Sequence, residues 1–463
     1  MSSPFNKRKY ESLLEGLEVS EVSIKKLFSD FRIDAETYRP FYQLIESKVT
    51  SHKYVTLGTI CSRFKKGIFD IKAEVYTNEG IPFVRISNLR NMGISTNDLV
   101  YIPESENNKN LDTFLQKGDI ILSKTAIPAA SIVQLDCCNT SQDTVAIKLA
   151  DDSFQSSFVV VFLNCKYGYL QMQRWFTGNI QMHLNLTDCK NIFVPQLSHL
   201  FQKKINNIFW LAFDYKRQSE SLYHQAEELL LETIGLKNFK PNEKGTNIKT
   251  FKKSFLTTGR LDAEYYQPKY EEYIKLLKKY SGGFDLLEKA CDLKDNSFIP
   301  EETKEYKYIE LSDIGNSGNI TGCMLAKGSE LPSRARRKVN TNDVIISSIE
   351  GSLESCALVT ENYDNALCLT GFYVIKSRTI NSEILLVLFK SEVMQNILKQ
   401  NCSGTILTAI NKTEFSQIPV PFIDKSSQKQ IASLIKKSFS LRDESGKLLE
   451  EAKEMVEREI ENG

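Results

Sequence analysis

The chain has 463 residues, a quarter of them charged, yet its formal net charge is only +1. That length exceeds one ordinary hydrophobic core, so at least two domains are expected. The near-neutral balance excludes a protein that coats nucleic acid on bulk charge. Any such site must be a local patch or be completed by a partner.

The opening MSSPFNKRKYESLLEG is too polar for a secretory leader. The apolar runs at 159–163 and 384–389 are too short to span a bilayer. Residues 9–28 have helical spacing and are expected to supply a missing end of the last helix. Short strands are expected at 55–61, 83–86, 119–123, 145–149 and 192–194, with a helix over 158–177 that leads to a turn at Gly178. The stretch 198–236 holds no Pro, ends near Gly235 and reads as one long helix. Its apolar positions step 3-4-3-4 through Ile205, Ile208, Ala212, Tyr215, Ser219, Leu222, Ala226 and Leu229. Residues 237–258 read as a connector, rich in Lys, Asn and Thr. The heptad returns near the C-terminus as Ile431, Leu434, Ser438, Leu441, Ser445, Leu448, Ala452 and Met455. Small residues recurring at one seam position let a partner helix approach closely, so the two helices are expected to pair with each other.

The heptads are one part of a tandem repeat. Arg-Ile-Asp-Ala-Glu-Thr-Tyr at 32–38 returns as Arg-Leu-Asp-Ala-Glu-Tyr-Tyr at 260–266. Leu-Gln-Lys-Gly-Asp-Ile-Ile-Leu-Ser at 115–123 returns as Val-Asn-Thr-Asn-Asp-Val-Ile-Ile-Ser at 339–347. The segments 177–188, 192–195 and 202–205 return at 403–414, 418–421 and 428–431. The fold class is therefore α/β: two pseudo-symmetric mixed α/β domains separated by an antiparallel coiled coil of two long helices. The divisions are 1–28, 29–197, 198–236, 237–258, 259–423 and 424–463.

A helix of about 35–40 residues spans roughly 50–60 Å, the length of about 15–18 base pairs. Two similar readers held apart this way suit a target of two short words and an unread spacer. The copies agree in their strand cores and differ in polar positions. Arg63, Lys65 and Lys66 face the stretch with Lys294 and Asn296. Arg85 and Asn88 align with Glu310 and Asp313, and Lys124 and Ala126 with Ser348 and Glu350. Arg and Lys suit guanine edges, Asn and Gln adenine, and Glu and Asp cytosine. With Arg90, Gln181 and Thr405, placed by charge and loop position, these are the candidate DNA contacts. Surface drift after duplication explains the same differences equally simply at any one position.

Catalytic signatures are missing from the sequence. It has no Gly-x-Gly-x-x-Gly, no Walker loop and no Asn-Pro-Pro-Tyr-type tetrapeptide. Asp34 and Glu36 read as caps for the following helix. Ten cysteines include no Cys-x-x-Cys pair, and the four histidines have no metal-like spacing, so no metal site is expected. Cys61 and Cys291, each in a short apolar stretch, read as buried thiols of a reducing cytoplasm.

The ordered, duplicated blocks resemble the specificity (S) subunits of type I restriction–modification systems. The carrying segments are 32–38 and 260–266, the strand at 118–123, the stretches 178–195 and 404–421, and the long helices from Gln202 and Gln428. Gln202-Lys203 and Gln428-Lys429 stand where many members have a Glu-Gln pair. The resemblance implies a non-catalytic DNA-recognition subunit whose two target-recognition domains each read half of a bipartite site. It implies that the coiled coil docks two modification (methyltransferase) subunits, that each half-site has one adenine methylated, and that restriction subunits join as an ATP-dependent nuclease. SAM and ATP/Mg would then belong to the partners and none to this chain. Two other readings stay open: a recognition subunit whose partner fuses methylase and nuclease, and a coiled-coil scaffold that does not bind DNA.

Overall fold

The computed structural model describes residues 6–24, 34–90, 92–96, 98–125, 127–176, 183–242, 246–404 and 408–463. The chain divides into two compact units, Met1–Asp214 with Glu444–Gly463, and Tyr215–Asp443. Both long helices, α1 (His199–Thr233) and α2 (Lys425–Asn462), are divided near their middles.

In the first unit the strands Cys61–Lys66, Thr144–Leu149, Ile120–Ser123 and Ala130–Ile132 form an antiparallel sheet in that order. A second sheet runs Val100–Ile102, Ile81–Val84, Cys137–Thr140, Leu115–Gln116, with a parallel pair at its centre. The second unit repeats both orders. Its first sheet is Cys291–Leu293, Phe372–Ser377, Val344–Ser347, Cys356–Leu358. Its second is Met324–Lys327, Glu305–Ile309, Leu367–Leu369, Ala335–Lys338, again with the central pair parallel. A short ladder closes each unit, Tyr54–Thr56 with Phe193–Pro195 and Phe284–Leu286 with Pro419–Pro421. Four of the five expected strands appear within a few residues of their bounds; the one expected at 55–61 is a strand only at Tyr54–Thr56, followed by a 3₁₀ turn at Leu57–Ile60.

The helix expected over 158–177 is two helices, Ser156–Asn164 and Lys166–Trp175, broken at the extended Cys165. Its counterpart breaks at Ser391, between Ser382–Lys390 and Glu392–Gln400. The break folds the second helix back on the first. A Cβ at Gly168 would stand 2.1 Å from the Phe162 carbonyl oxygen, so only glycine fits the crossing. The apolar runs 159–163 and 384–389 are buried on every face, as in core helices. No described helix is long and apolar enough to cross a membrane.

Both long helices start and stop by local rules. The Phe201 amide donates to Ser198 Oγ and the Ser426 amide to Asp424 Oδ1, two N-caps just beyond Pro195 and Pro421. Gly235, at φ +72°, ends α1. There the Leu236 amide reaches the Leu231 carbonyl and the Gly235 amide the Glu232 carbonyl, a Schellman closure.

The helices pair antiparallel within each unit. In the first, Ser445 Oγ donates to the Ala212 carbonyl at 2.7 Å. In the second, Ser438 Oγ donates to the Ser219 carbonyl at 2.7 Å and lies 3.0 Å from Ser219 Oγ. Side chains this short reach a facing backbone only when the helices are close, which the small seam residues permit. Ile205, Ala212, Ser219 and Ala226 are buried, as are Ile431, Ser438, Ser445 and Ala452. The other expected line is displaced by one residue. Ile208, Tyr215, Leu222 and Leu229 are half-buried flanks, while Phe209, Tyr223 and Leu230 are buried. Leu434, Leu441, Leu448 and Met455 are likewise flanks, and Ile435 and Val456 lie inside. The helices also cover their own domains, so the most buried line turns toward both neighbours.

The N-terminal expectation fails. The first helix is only Lys7–Leu13, and Gly16 at φ +80° follows it. Leu13, Leu17 and Ile24 are exposed, and Glu18 pairs with Arg39 at 3.2 Å. Glu18 thus meets Arg39 beside the Asp-Ala-Glu turn, while α2 itself runs to Asn462; residues 25–28 of the expected helix lie outside the described residues.

Candidate nucleic-acid interface

The candidate contacts fall into three places. Arg63, Lys65 and Lys66 lie on the strand Cys61–Lys66, and Lys124 follows the strand Ile120–Ser123. Arg85, Asn88 and Arg90 lie at one corner, matched by Glu310 and Asp313 in the second unit. Lys294, Asn296, Ser348 and Glu350 complete the second set. Gln181 and Thr405 lie outside the described residues.

At this corner the described side chains Arg85, Asn88, Arg90 and Asp313 all have hydrogen-bond partners. Asn88 is 1% exposed, and its Oδ1 accepts the Arg85 amide at 3.0 Å. Asp313 Oδ2 accepts the Glu310 amide at 2.8 Å. Both carboxamide and carboxylate cap a single 3₁₀ turn, so their Asn-to-Asp difference preserves a backbone bond. Arg85 Nη2 is held by the Asp98 carbonyl, and Arg90 Nη1 by the Ser87 and Leu89 carbonyls. Asn88 and Asp313 are thus corrected from base readers to structural ties, whereas Arg85 and Arg90 are tied through one nitrogen each and Arg90 stays exposed. Ser348 Oγ is likewise taken by the Gly371 carbonyl, and Lys294 Nζ by Asp343 Oδ2 at 2.6 Å.

The motif acids act differently from expectation too. Asp34 Oδ1 accepts the Thr37 amide and Asp262 Oδ1 the Tyr265 amide, so each caps the tight turn ahead of its helix. The helices themselves begin with Pro40 and Pro268 at their first position.

What remains is a basic junction where the first strand of one sheet meets the edge segment of the other. In the first unit Arg63 Nη1 donates to the Leu111 and Phe114 carbonyls, and Lys65 pairs with Asp112 at 3.4 Å. Lys66 lies 5.0 Å from the Phe69 ring centroid, and burial pulls the Lys124 ammonium below the usual lysine range, with Lys66 adding repulsion. In the second unit the same junction is made from the other side. Arg337 Nη1 donates to Asp295 Oδ1 at 2.6 Å and to the Lys294 carbonyl. Lys412 holds Asp295 Oδ2 at 2.7 Å. Arg337 belongs to the edge strand Ala335–Lys338, in a run Ser-Arg-Ala-Arg-Arg-Lys at 333–338.

Sequence reasoning missed this strand. Arg334 and Lys338 are exposed and Arg336 half-buried, on a strand paired along one side only. Four cations in five positions on an edge strand discourage strand addition and offer a stripe for phosphates and guanine edges. The signal was present as a short basic run. The corresponding stretch of the first unit, 110–114, contains no cation.

All ten cysteines are free. Burial raises the Cys61 and Cys291 thiols to about 12, so neither is a nucleophile at neutral pH. Among the described residues no group of His, Cys, Asp and Glu is arranged to hold a metal ion.

Residues 284–453 match the family described as type I restriction modification DNA specificity domain. No curated protein matches the chain. Among solved structures it is similar to the S subunit of a type I restriction–modification system from M. genitalium, at 14% identity, covering 87% of this chain and 94% of that one, with a TM-score of 0.42. It is also similar to the HsdS subunit from Thermoanaerobacter tengcongensis, at 13% identity, covering 88% and 95%, with a TM-score of 0.28. The match lies on the second copy of a repeat whose first copy has the same two sheets in the same strand order. Over residues 284–453, then, the chain is similar to the type I restriction modification DNA specificity domain.

Proposed function

We propose that this chain is the DNA sequence-recognition subunit of a type I restriction–modification complex, with each unit reading one half of a bipartite site. The observation that carries this reading is the duplication: a specificity domain and its topological copy, each joined to a long helix. In the first unit the reading surface centres on Lys65, Lys66 and Lys124; in the second, on Arg334, Arg336 and Lys338. Asn296 and Glu310, which are exposed, and Glu350, which is half-buried, remain candidate contacts of the second unit.

The paired helices set the unread spacer and dock two methyltransferase subunits, and restriction subunits join that assembly. The chain performs no chemistry itself. SAM is bound by the methyltransferases and ATP with Mg by the restriction subunits, all in the cytoplasm. Matched seven-residue insertions in both long helices lengthen the spacer, whereas an insertion after Leu222 alone breaks the pairing.

The test is a map of methylated adenines in cells expressing the chain with its methyltransferase, against cells lacking it. A new split motif with a fixed gap is expected. A stable complex that adds no methylation would overturn the reading.

A further inference from the structure

The two copies differ behind the Arg-x-Asp-Ala-Glu-x-Tyr turn. In the first unit Arg174, 7% exposed, donates from Nε to the Thr37 carbonyl at 2.6 Å and pairs through Nη1 with Glu46. In the second unit Gln400 holds that place and donates to the Tyr265 carbonyl at 3.0 Å. Ile274 stands where the repeat has Glu46. The shorter pair fills less space, and Gln400 Oε1 is buried with no hydrogen-bond partner. A cleft of about 470 Å³ opens there, floored by Tyr265 and Gln400 and rimmed by Lys253, Lys275, Lys278 and Lys279.

These four lysines are exposed, and no ion pair engages any of them among the described residues. In the first copy Ser47, Thr50 and Ser51 stand at the positions of the last three. The first unit's own cleft beside its motif is instead bordered by Glu18, Asp34 and Glu36. The second copy has thus both emptied this space and rimmed it with four lysines against one carboxylate, Glu271, which is itself paired with Lys249.

We propose that this cleft grips the DNA phosphate backbone without reading bases, apart from the surface that reads the second word. The inference rests on the DNA-recognition reading above. Lys275 and Lys279 lie one turn apart on the helix Pro268–Lys279, about 6 Å of axial rise. Phosphates two steps apart on one strand, about 6.8 Å along the duplex axis, lie within reach of side chains so spaced. Lysine is a flexible point charge, suited to phosphates and indifferent to sequence. The other polyanion class is an acidic protein face. DNA is favoured because the cleft belongs to the unit that contains most of the matched specificity domain. With a net charge of only +1 for the whole chain, DNA attraction also depends on local clusters of this kind.

The experiment uses the full complex of the chain with its methyltransferase. Binding to a target duplex and to a random duplex is measured over a salt series. Wild type is compared with Lys275→Gln, Lys278→Gln and Lys279→Gln combined, changes confined to exposed side chains. The variant is expected to lose affinity by the same factor on both duplexes and to keep its methylation motif. Its slope of log K against log salt is expected to be shallower by about 0.9 for each phosphate that is no longer neutralised. An unchanged slope overturns the proposal, as does a weaker hold on the methyltransferase with DNA binding intact, the mark of a protein-docking face. If wild type itself shows no preference for target over random duplex, the DNA-recognition reading fails before any variant is compared.

Discussion

In the first unit Arg63 reaches from the first strand to the carbonyls of Leu111 and Phe114. In the second, Arg337 reaches back from the edge strand to the Lys294 carbonyl and the Asp295 carboxylate. One junction is tied by an arginine from opposite sides. The fold needs a tie there, and which strand supplies it has been free to change. That change also relocates the remaining cations, from the strand 61–66 in one copy to the strand 335–338 in the other. Part of the polar divergence between the copies is therefore compensating exchange, and only the remainder is available for recognition.

The largest expected effect breaks the comparison at the buried pair. Arg174→Met removes the partner of Glu46, a donor to the Thr37 carbonyl and a cation lying 5.6 Å from the Tyr38 ring centroid. Breaking a buried pair leaves an uncompensated charge; because Glu46 is a third exposed, about 2–3 kcal/mol is expected. Gln400→Met removes one neutral hydrogen bond and is expected to cost about 1 kcal/mol. Hydrogen exchange resolved by unit checks both; equal costs would show that the two sites are energetically alike.

A smaller effect tests the helix pairing. Ser438→Ala removes the bonds to Ser219, and Ser445→Ala removes the bond to the Ala212 carbonyl. Each is expected to cost about 0.5–1.5 kcal/mol in chemical denaturation, with Ser438 the larger. Ser438→Leu is expected to cost about 1–3 kcal/mol because the close approach has no room for it.

The same contrasts show what the sequence makes legible. The repeat, the strands and both long helices follow from periodicity and caps, because burial imposes those patterns directly. One heptad line is legible for the same reason: Ala212, Ser219, Ser438 and Ser445 must be small where two helices touch. The second line is ambiguous because Ile208 and Phe209, or Leu229 and Leu230, are adjacent and both apolar. Only the packed domain decides which of each pair turns inward. The misreading of Asn88 and Asp313 has another cause. A 3₁₀ corner that consumes its own side chains looks, in sequence, like any polar loop. The strand Ala335–Lys338 was readable from the run of cations at 334–338, but that run has no counterpart in the first copy, so aligning the copies does not bring it out.

The smallest effect concerns Asp295. Lys412 first, and then Arg337, hold its carboxyl below the usual carboxylate range. A depressed carboxyl binds its proton more weakly folded than unfolded. Its contribution is therefore present at neutral pH and is lost as the pH falls through the folded value. Asp295 is exposed, so solvent screening limits the gain to at most about 1 kcal/mol. Asp295→Asn is expected to lower stability by that amount or less at pH 7. The gap to wild type should begin to close near pH ~4 and vanish well below it. In the first unit the matching strand ends in Lys65 and Lys66 and has no carboxylate of its own; Asp112, exposed, meets Lys65 from outside it at 3.4 Å. The acid-dependent loss should accordingly appear in exchange protection of the second unit's junction, around residues 293–295 and 335–338, and leave the strand 61–66 unmoved. A gap that stays constant from pH 7 to pH 3 would mean that Arg337 ties the junction through the Lys294 carbonyl alone, as Arg63 ties its own junction through backbone carbonyls.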